Sequence, residues 1–462
     1  HLQVEIAPGA LRLLPVRLRL AAKASCTSSA YSLRVTARAD GEAEPITLTA
    51  RLTGGECRAP HQSVVYSYLD HDGAVSQVAV VRPLGEPKYG GHICRTPRQV
   101  DDGQADGGCV HGITIPANFL CAGSPSGHGC PVLLTLHGTS IPVRDSADAY
   151  KVSDGAGGFR FGVEGFWLVA PTRHGAHNWE QQGKLTALAA VDWFASIANS
   201  ERASPDFVDR DRLLVVGHSM GGHGAWLTAV QASARVIGVV AVAGWLRKET
   251  YGDSNFLFEQ STADLSAGYV EPALRAALEG AIGEDHVELH APNLVGVPVL
   301  IRVGAADNTV PPWWSRRAWR LLLAAGGNAT LTELDRKEHW WWDTHTENDG
   351  GVMNDGEMRA FFARVASHRE PETRRAALPP LAANASVRAF SPAAFEGRGG
   401  WRIVQQAVPG RLSQIDIRQR KNLKEVTTRN VRRLEVPASA ARLPIVVDGV
   451  RIDVPKRPCF SS

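Results

Sequence analysis

No apolar run in this sequence approaches the roughly 20 residues of a bilayer-spanning helix, so a transmembrane helix is excluded. No block of Lys or Arg stands out either. The net charge is only +3, from 50 basic and 47 acidic side chains. That balance gives no electrostatic reason to bind nucleic acid or an anionic membrane. Internal repeats are absent. The opening "HLQVEIAPGA" has neither an initiator Met nor a signal-type apolar core, and it reads as a mature or trimmed form.

What is present is the composition of a soluble globular protein, 44% hydrophobic and 21% charged. A chain of 462 residues exceeds one ordinary core, which implies two or three domains. Six of the seven cysteines (Cys26, Cys57, Cys94, Cys109, Cys121 and Cys130) precede residue 131, and only Cys459 lies far away. An even cluster in a loop-rich stretch points to disulfides and a secreted or extracytoplasmic protein. Asn328-Ala329-Thr330 and Asn384-Ala385-Ser386 fit the acceptor triplet of a glycoprotein.

Three regions differ in patterning. Residues 1–124 alternate apolar and polar in short runs such as "SVVYSYL" and "SQVAVVRPL", a sandwich-like β pattern. From 125 to 370 the apolar runs become continuous: "VLLTL", "FWLVA", "RLLVV", "VIGVVAVAG" and "VPVLIRV". Such runs suit parallel strands buried on both faces. Helix-period segments alternate with them, which predicts a doubly wound α/β domain. Residues 371–462 begin with a Pro- and Ala-rich linker and continue as a second β-rich module, where Asp448-Gly449 predicts a hairpin turn.

Within the α/β region, "VVGHSMGGHGAWL" runs from a buried strand through Gly217-His218-Ser219-Met220-Gly221 into a helical pattern. That is the context in which G-x-S-x-G presents a nucleophile on a sharp turn. Ser219 needs a base and an orienting carboxylate, in the chain order Ser, acid, His. Asp307 follows the strand "VPVLIRV" and is preferred to Asp335 and Asp343. His339 follows "TLTEL" and is preferred to His345. For an oxyanion hole, the backbone N–H of Met220 and of Gly138 or Thr139 in "LTLHGTS" are the candidates.

These pieces ("LLTLHG", "DRDRLLVVGHSMGG", "VPVLIRVGAADNTVP" and "KEHWWW") stand in an order that resembles the α/β-hydrolase fold, and within it the prolyl-oligopeptidase type of catalytic domain and related esterases. The resemblance implies a serine hydrolase working through an acyl-enzyme, with no cofactor and no metal. Prolyl oligopeptidases carry a large β-propeller, which 124 residues of β pattern cannot build. That departure favours hydrolysis of a small-molecule ester over cleavage of a short peptide. A catalytically silent fold used for adhesion is the reading from another class, and the three competent triad positions argue against it.

Trp340, Trp341, Trp342, Trp179 and Trp313, with His218, flank the triad positions and are candidate substrate contacts. His174, His177 and Asn178 could line the same mouth. Residues 246–296 could form a cap carrying Tyr251 or Phe256. "DTHTENDGG" spaces Asp343, His345, Glu347 and Asp349 two apart, but its glycine does not fit a calcium loop. The sequence gives no oligomeric state.

Overall fold

A computed structural model describes residues 31–37, 46–52, 62–84, 129–154, 157–172, 178–200, 208–248, 251, 271–341, 351–367, 384–437, 440 and 443–452. Strands β1 (Tyr31–Ala37) and β2 (Ile46–Leu52) form an antiparallel pair of their own. The central sheet has eight strands. In chain order these are β3 (Val64–Leu69), β4 (Val75–Val81), β5 (Cys130–Leu136), β8 (Trp167–Pro171), β9 (Val208–His218), β10 (Val236–Val242), β11 (Val299–Gly304) and β12 (Ala329–Leu334). The short hairpin β6 (Lys151–Ser153) and β7 (Phe159–Phe161) lies outside it.

Across the sheet the order is β12-β11-β10-β9-β5-β8-β4-β3. The six strands from β12 to β8 are parallel. Strands β4 and β3 add an antiparallel edge. The continuous apolar runs are explained by cover on both faces. Helices α2 (Gln182–Ser200), α3 (Met220–Gln231), α5 (Val287–His290) and α6 (Trp313–Ala324) share one core with the sheet. Helices α1 (Val143–Asp148) and α7 (Gly356–Ser367) share the other. Helix α4 (Pro272–Glu284) precedes α5. The doubly wound α/β architecture read from the pattern is therefore the fold.

One boundary needs correction. The N-terminal module expected to end at residue 124 does not hold, because β3 and β4 belong to the central eight-stranded sheet. Alternation reports that one face of a strand is buried; it does not report which sheet the strand joins. Here Val78 to Val81 pair with Pro171 to Leu168.

The C-terminal strands β13 (Asn384–Ala389), β14 (Arg402–Gln406), β15 (Ser413–Gln419), β16 (Lys424–Arg429), β17 (Val431–Glu435), β18 (Ile445–Val447) and β19 (Val450–Ile452) form one five-stranded and one two-stranded sheet. They enclose a separate core that includes Trp401, Ile403, Ile415 and Ile417. Asp448 (φ 48°) and Gly449 (φ 84°) make the expected two-residue turn between β18 and β19. Asn293, just after α5, joins the two parts: its Nδ2 donates to Val230 O (3.0 Å) of α3 and to Arg388 O (2.9 Å) of β13, while its Oδ1 accepts from Arg388 N (2.8 Å).

Of the seven cysteines, Cys130 is among the described residues, buried at the start of β5. The other six, the linker before residue 384, and Phe256 of the expected cap lie outside them. Asn328 and Asn384, the acceptor candidates, are exposed.

Candidate active site

Strands β5, β9, β11 and β12 all end on one side of the sheet, and each hands its following loop to the same place. At the end of β9 the chain turns sharply: Ser219 has φ 59° and ψ −122°, and α3 begins at the next residue. A non-glycine residue at positive φ costs on the order of 1–3 kcal/mol and persists only where its surroundings hold it. Here Ser219 N donates to Val242 O (2.9 Å), and Ser219 O accepts from His223 N (3.1 Å). The flanking glycines are explained by close approach. A Cβ at Gly217 would lie 2.1 Å from Gly221 O, and one at Gly221 would lie 1.8 Å from Leu136 O.

Asp307 sits after β11 in a loop tied to the His339 loop by Ala305 N to Leu334 O (2.9 Å) and Ala306 N to Lys337 O (2.9 Å). Its Oδ1 accepts from Thr309 N (2.9 Å) and Val310 N (2.8 Å), which turns Oδ2 toward the imidazole. His339 Nδ1 donates to Asp307 Oδ2 at 2.7 Å, and Ser219 Oγ donates to His339 Nε2 at 2.9 Å. All three side chains are buried, with Ser219 the most open at 6%. The structure thus joins Ser219, His339 and Asp307 in one hydrogen-bonded chain. The rival Asp335 is exposed and paired with Arg336, while Asp343 and His345 lie outside the described residues.

Gly138 passes beside the nucleophile: a Cβ there would stand 3.3 Å from His218 O and 3.6 Å from Ser219 Cβ. Met220 opens α3, where backbone N–H groups have no intrahelical acceptor. Thr139 Oγ1 lies 4.0 Å from Met220 Sδ, so the two loops touch.

The expected substrate contacts divide. Trp340 is 46% exposed, with its ring edge-on to His339 (4.7 Å) and His218 (5.0 Å). Trp313 is 44% exposed and stacks on Trp314. Trp341 packs partly buried against the core shared with α7. His218 and Trp179 are corrections, because both are buried and cannot line an open mouth. The His218 ring turns under the site and donates from Nε2 to His339 O (3.0 Å). Burial, helped by the neighbouring His339, pushes its pKa down to about 3, so it is a neutral donor at ordinary pH. Trp179 packs on Gly224 and donates from Nε1 to His137 O (3.0 Å). Tyr251 stacks on Trp245 (4.2 Å), and burial together with the charge of Asp307 raises its pKa. His174, His177, Trp342 and the acidic "DTHTENDGG" stretch from residue 343 on lie outside the described residues.

No local sequence motif marks His223 and Glu180. His223 lies one helical turn after Ser219, and its Nε2 is 3.1 Å from Glu180 Oε1. Only the i+4 spacing of His223 from Ser219 and the adjacency of Glu180 to Trp179 point to them. Among the described residues, one cluster has metal-ligand character, Asp70, His71 and Asp72 at the β3–β4 turn. Asp70 is occupied there by Thr186, and His71 by Asp70 and Gln182.

A doubly wound sheet carrying a Ser-His-Asp hydrogen-bonded chain at its strand ends defines the class as α/β-hydrolase. Residues 172–367, which contain all three residues of that chain, match the prolyl oligopeptidase family. That segment is therefore similar to the prolyl-oligopeptidase type of serine hydrolase domain. The chain is also similar to an uncharacterized secreted protein of Arthroderma benhamiae, 27% identical over 377 residues. That match covers 75% of this chain and spans 35% of the relative's length. Among solved structures it is similar to the Pyrococcus horikoshii acylaminoacyl peptidase (13% identity, 67% of this chain, 42% of that chain, TM-score 0.40). Another is an S-formylglutathione hydrolase from Agrobacterium tumefaciens (16% identity, 67% and 96% coverage, TM-score 0.40).

Proposed function

We propose that the protein is a serine peptidase that cleaves short peptides through an acyl-enzyme. The observation that carries this is the Ser219–His339–Asp307 chain lying inside the segment matched by a peptidase family. In this reading His339 Nε2 takes the proton of Ser219 as Oγ attacks the carbonyl carbon, then gives it to the departing amine. Asp307 holds the Nδ1–H tautomer and stabilises the imidazolium. The N–H groups of Met220 and of Gly138 or Thr139 receive the oxyanion. Trp340 and Trp313 contact the substrate. Water then repeats the sequence to release the acid.

The 124 N-terminal residues are too few for a propeller, which favours an ester. The family match turns the preference toward the amide bond. The secreted relative and the clustered cysteines support an extracytoplasmic site of action. A fluorophosphonate should leave one adduct, on Ser219 and absent from Ser219→Ala. Against a matched ester and amide of one short acyl-peptide, the amide should turn over at a measurable rate. Labelling without any amide turnover would return the protein to the ester hydrolases.

A further inference from the structure

The loop that carries Trp179 is built in an unusual way. Asn178, Trp179 and Gln181 all have positive φ (52°, 66° and 44°), so three non-glycine residues out of four sit in the left-handed region. Such strain persists only where contacts over-determine it. The contacts run to both halves of the proposed oxyanion hole. On one side, the indole Nε1–H of Trp179 donates to His137 O at 3.0 Å, and the His137 ring stands edge-on to it at 5.1 Å. His137 is the residue before Gly138. On the other side, the indole lies on α3. A Cβ at Gly224 would come within 2.6 Å of Trp179 Cγ, so the glycine makes room for the ring. Next in the chain, buried Glu180 meets His223 Nε2 at 3.1 Å and Lys248 Nζ at 3.6 Å. His223 Nδ1 in turn donates to Trp245 O (3.0 Å). Gln181 continues the anchorage through Asp285 Oδ2 (2.6 Å).

We propose that Trp179, held by the Glu180–His223 pair, is a positioning residue that fixes the 137–139 loop against the start of α3 and so sets the spacing of the two oxyanion donors. The inference rests on the acyl-enzyme reading above. The wholly buried indole touches no substrate; it acts through the His137 carbonyl. If that hydrogen bond is lost, the peptide after His137 can rotate, and the donor following it moves relative to Met220 N. Such a shift weakens binding of the tetrahedral state far more than binding of the substrate.

Trp179→Phe keeps a ring against Gly224 and deletes the Nε1–H. Removing an oxyanion donor outright costs about 10²–10³ in kcat. Misplacing one by a few tenths of an ångström should cost roughly tenfold, a part of that loss. With p-nitrophenyl acetate as substrate, kcat should fall by that factor while KM stays within about twofold. Inhibition by phenylboronic acid, whose adduct on Ser219 Oγ is tetrahedral, should weaken by the same factor. Fluorophosphonate should still give a single adduct on Ser219. Where Trp179→Phe does not fold, Glu180→Gln reads the same brace from its anchor, with a smaller loss in both quantities. A variant with normal kcat and normal boronate affinity, whatever its melting temperature, makes Trp179 a packing residue and overturns the proposal. Absence of a Ser219 adduct in the wild type would remove the acyl-enzyme reading, and this inference with it.

Discussion

His290 should make the fold acid-sensitive through a single buried ring that is not part of the Ser219–His339–Asp307 chain. It is 2% exposed at the end of α5, with Nδ1 donating to His286 O (2.9 Å) and its ring against Phe390 (5.9 Å). Burial is the main cause that pushes its pKa from 6.5 down to about 4, with the Lys184 cation adding to it and Asp285 opposing. Because the folded pKa lies below the unfolded one, the unfolded chain binds a proton between the two values that the native ring refuses. The stability from His290 is therefore complete above about pH 6.5 and drains away as pH falls toward 4. One pH unit is worth about 1.4 kcal/mol, so the loss from this ring at pH 5 is about 2 kcal/mol. His290→Gln removes the titration along with some packing, and the packing loss is the same at every pH. Urea unfolding of both proteins at pH 7 and pH 5 should show wild type losing about 2 kcal/mol more than the variant over that interval. Equal losses would mean that His290 is protonated freely in the native state, and the burial argument would be wrong.

Asp307→Asn should leave the fold intact and lower kcat about 10⁴-fold, because an amide that donates to Nδ1 selects the wrong imidazole tautomer. Steady-state kinetics on material with a wild-type circular dichroism spectrum checks it. Gly221→Ala forces a methyl to within 1.8 Å of Leu136 O and should destabilise by about 3 kcal/mol or more, seen as a large fall in Tm. Asn293→Ala breaks two hydrogen bonds to Arg388 of the C-terminal module and one to Val230 of α3, at roughly 1 kcal/mol each. Thermal unfolding should then show a Tm several degrees below that of wild type, and an unchanged Tm would refute it.

Much of the site was legible because its chemistry demands a local pattern. The Ser219 turn is written in five consecutive residues, since close backbone approach at Gly217 and Gly221 leaves no room for side chains. Asp307 and His339 follow strands whose apolar runs mark both ends. The directions of side chains in the loops were not legible. Trp179 and Trp340 look alike in the sequence, each a tryptophan beside a histidine-bearing stretch. One is buried against Gly224, and the other is half exposed above His339. Only tertiary packing separates them. The same holds for β3 and β4, whose alternation fits a sandwich as well as the edge of this sheet. Asn293 joins segments 63 and 95 residues apart, a contact no local pattern encodes.

Every one of the twelve residues of α3 is buried. The helix that begins at the nucleophile has no free side on which a substrate, a lid or a partner could press. On the proposed peptidase reading, a change of selectivity enters elsewhere, at the exposed Trp340 and at Trp313 in the first turn of α6, while α3 stays fixed. For engineering, this divides the protein into a part that can be randomised and a part that cannot. Libraries confined to Trp340 and Trp313 should stay folded and vary in selectivity, whereas libraries in α3 should mostly lose the protein.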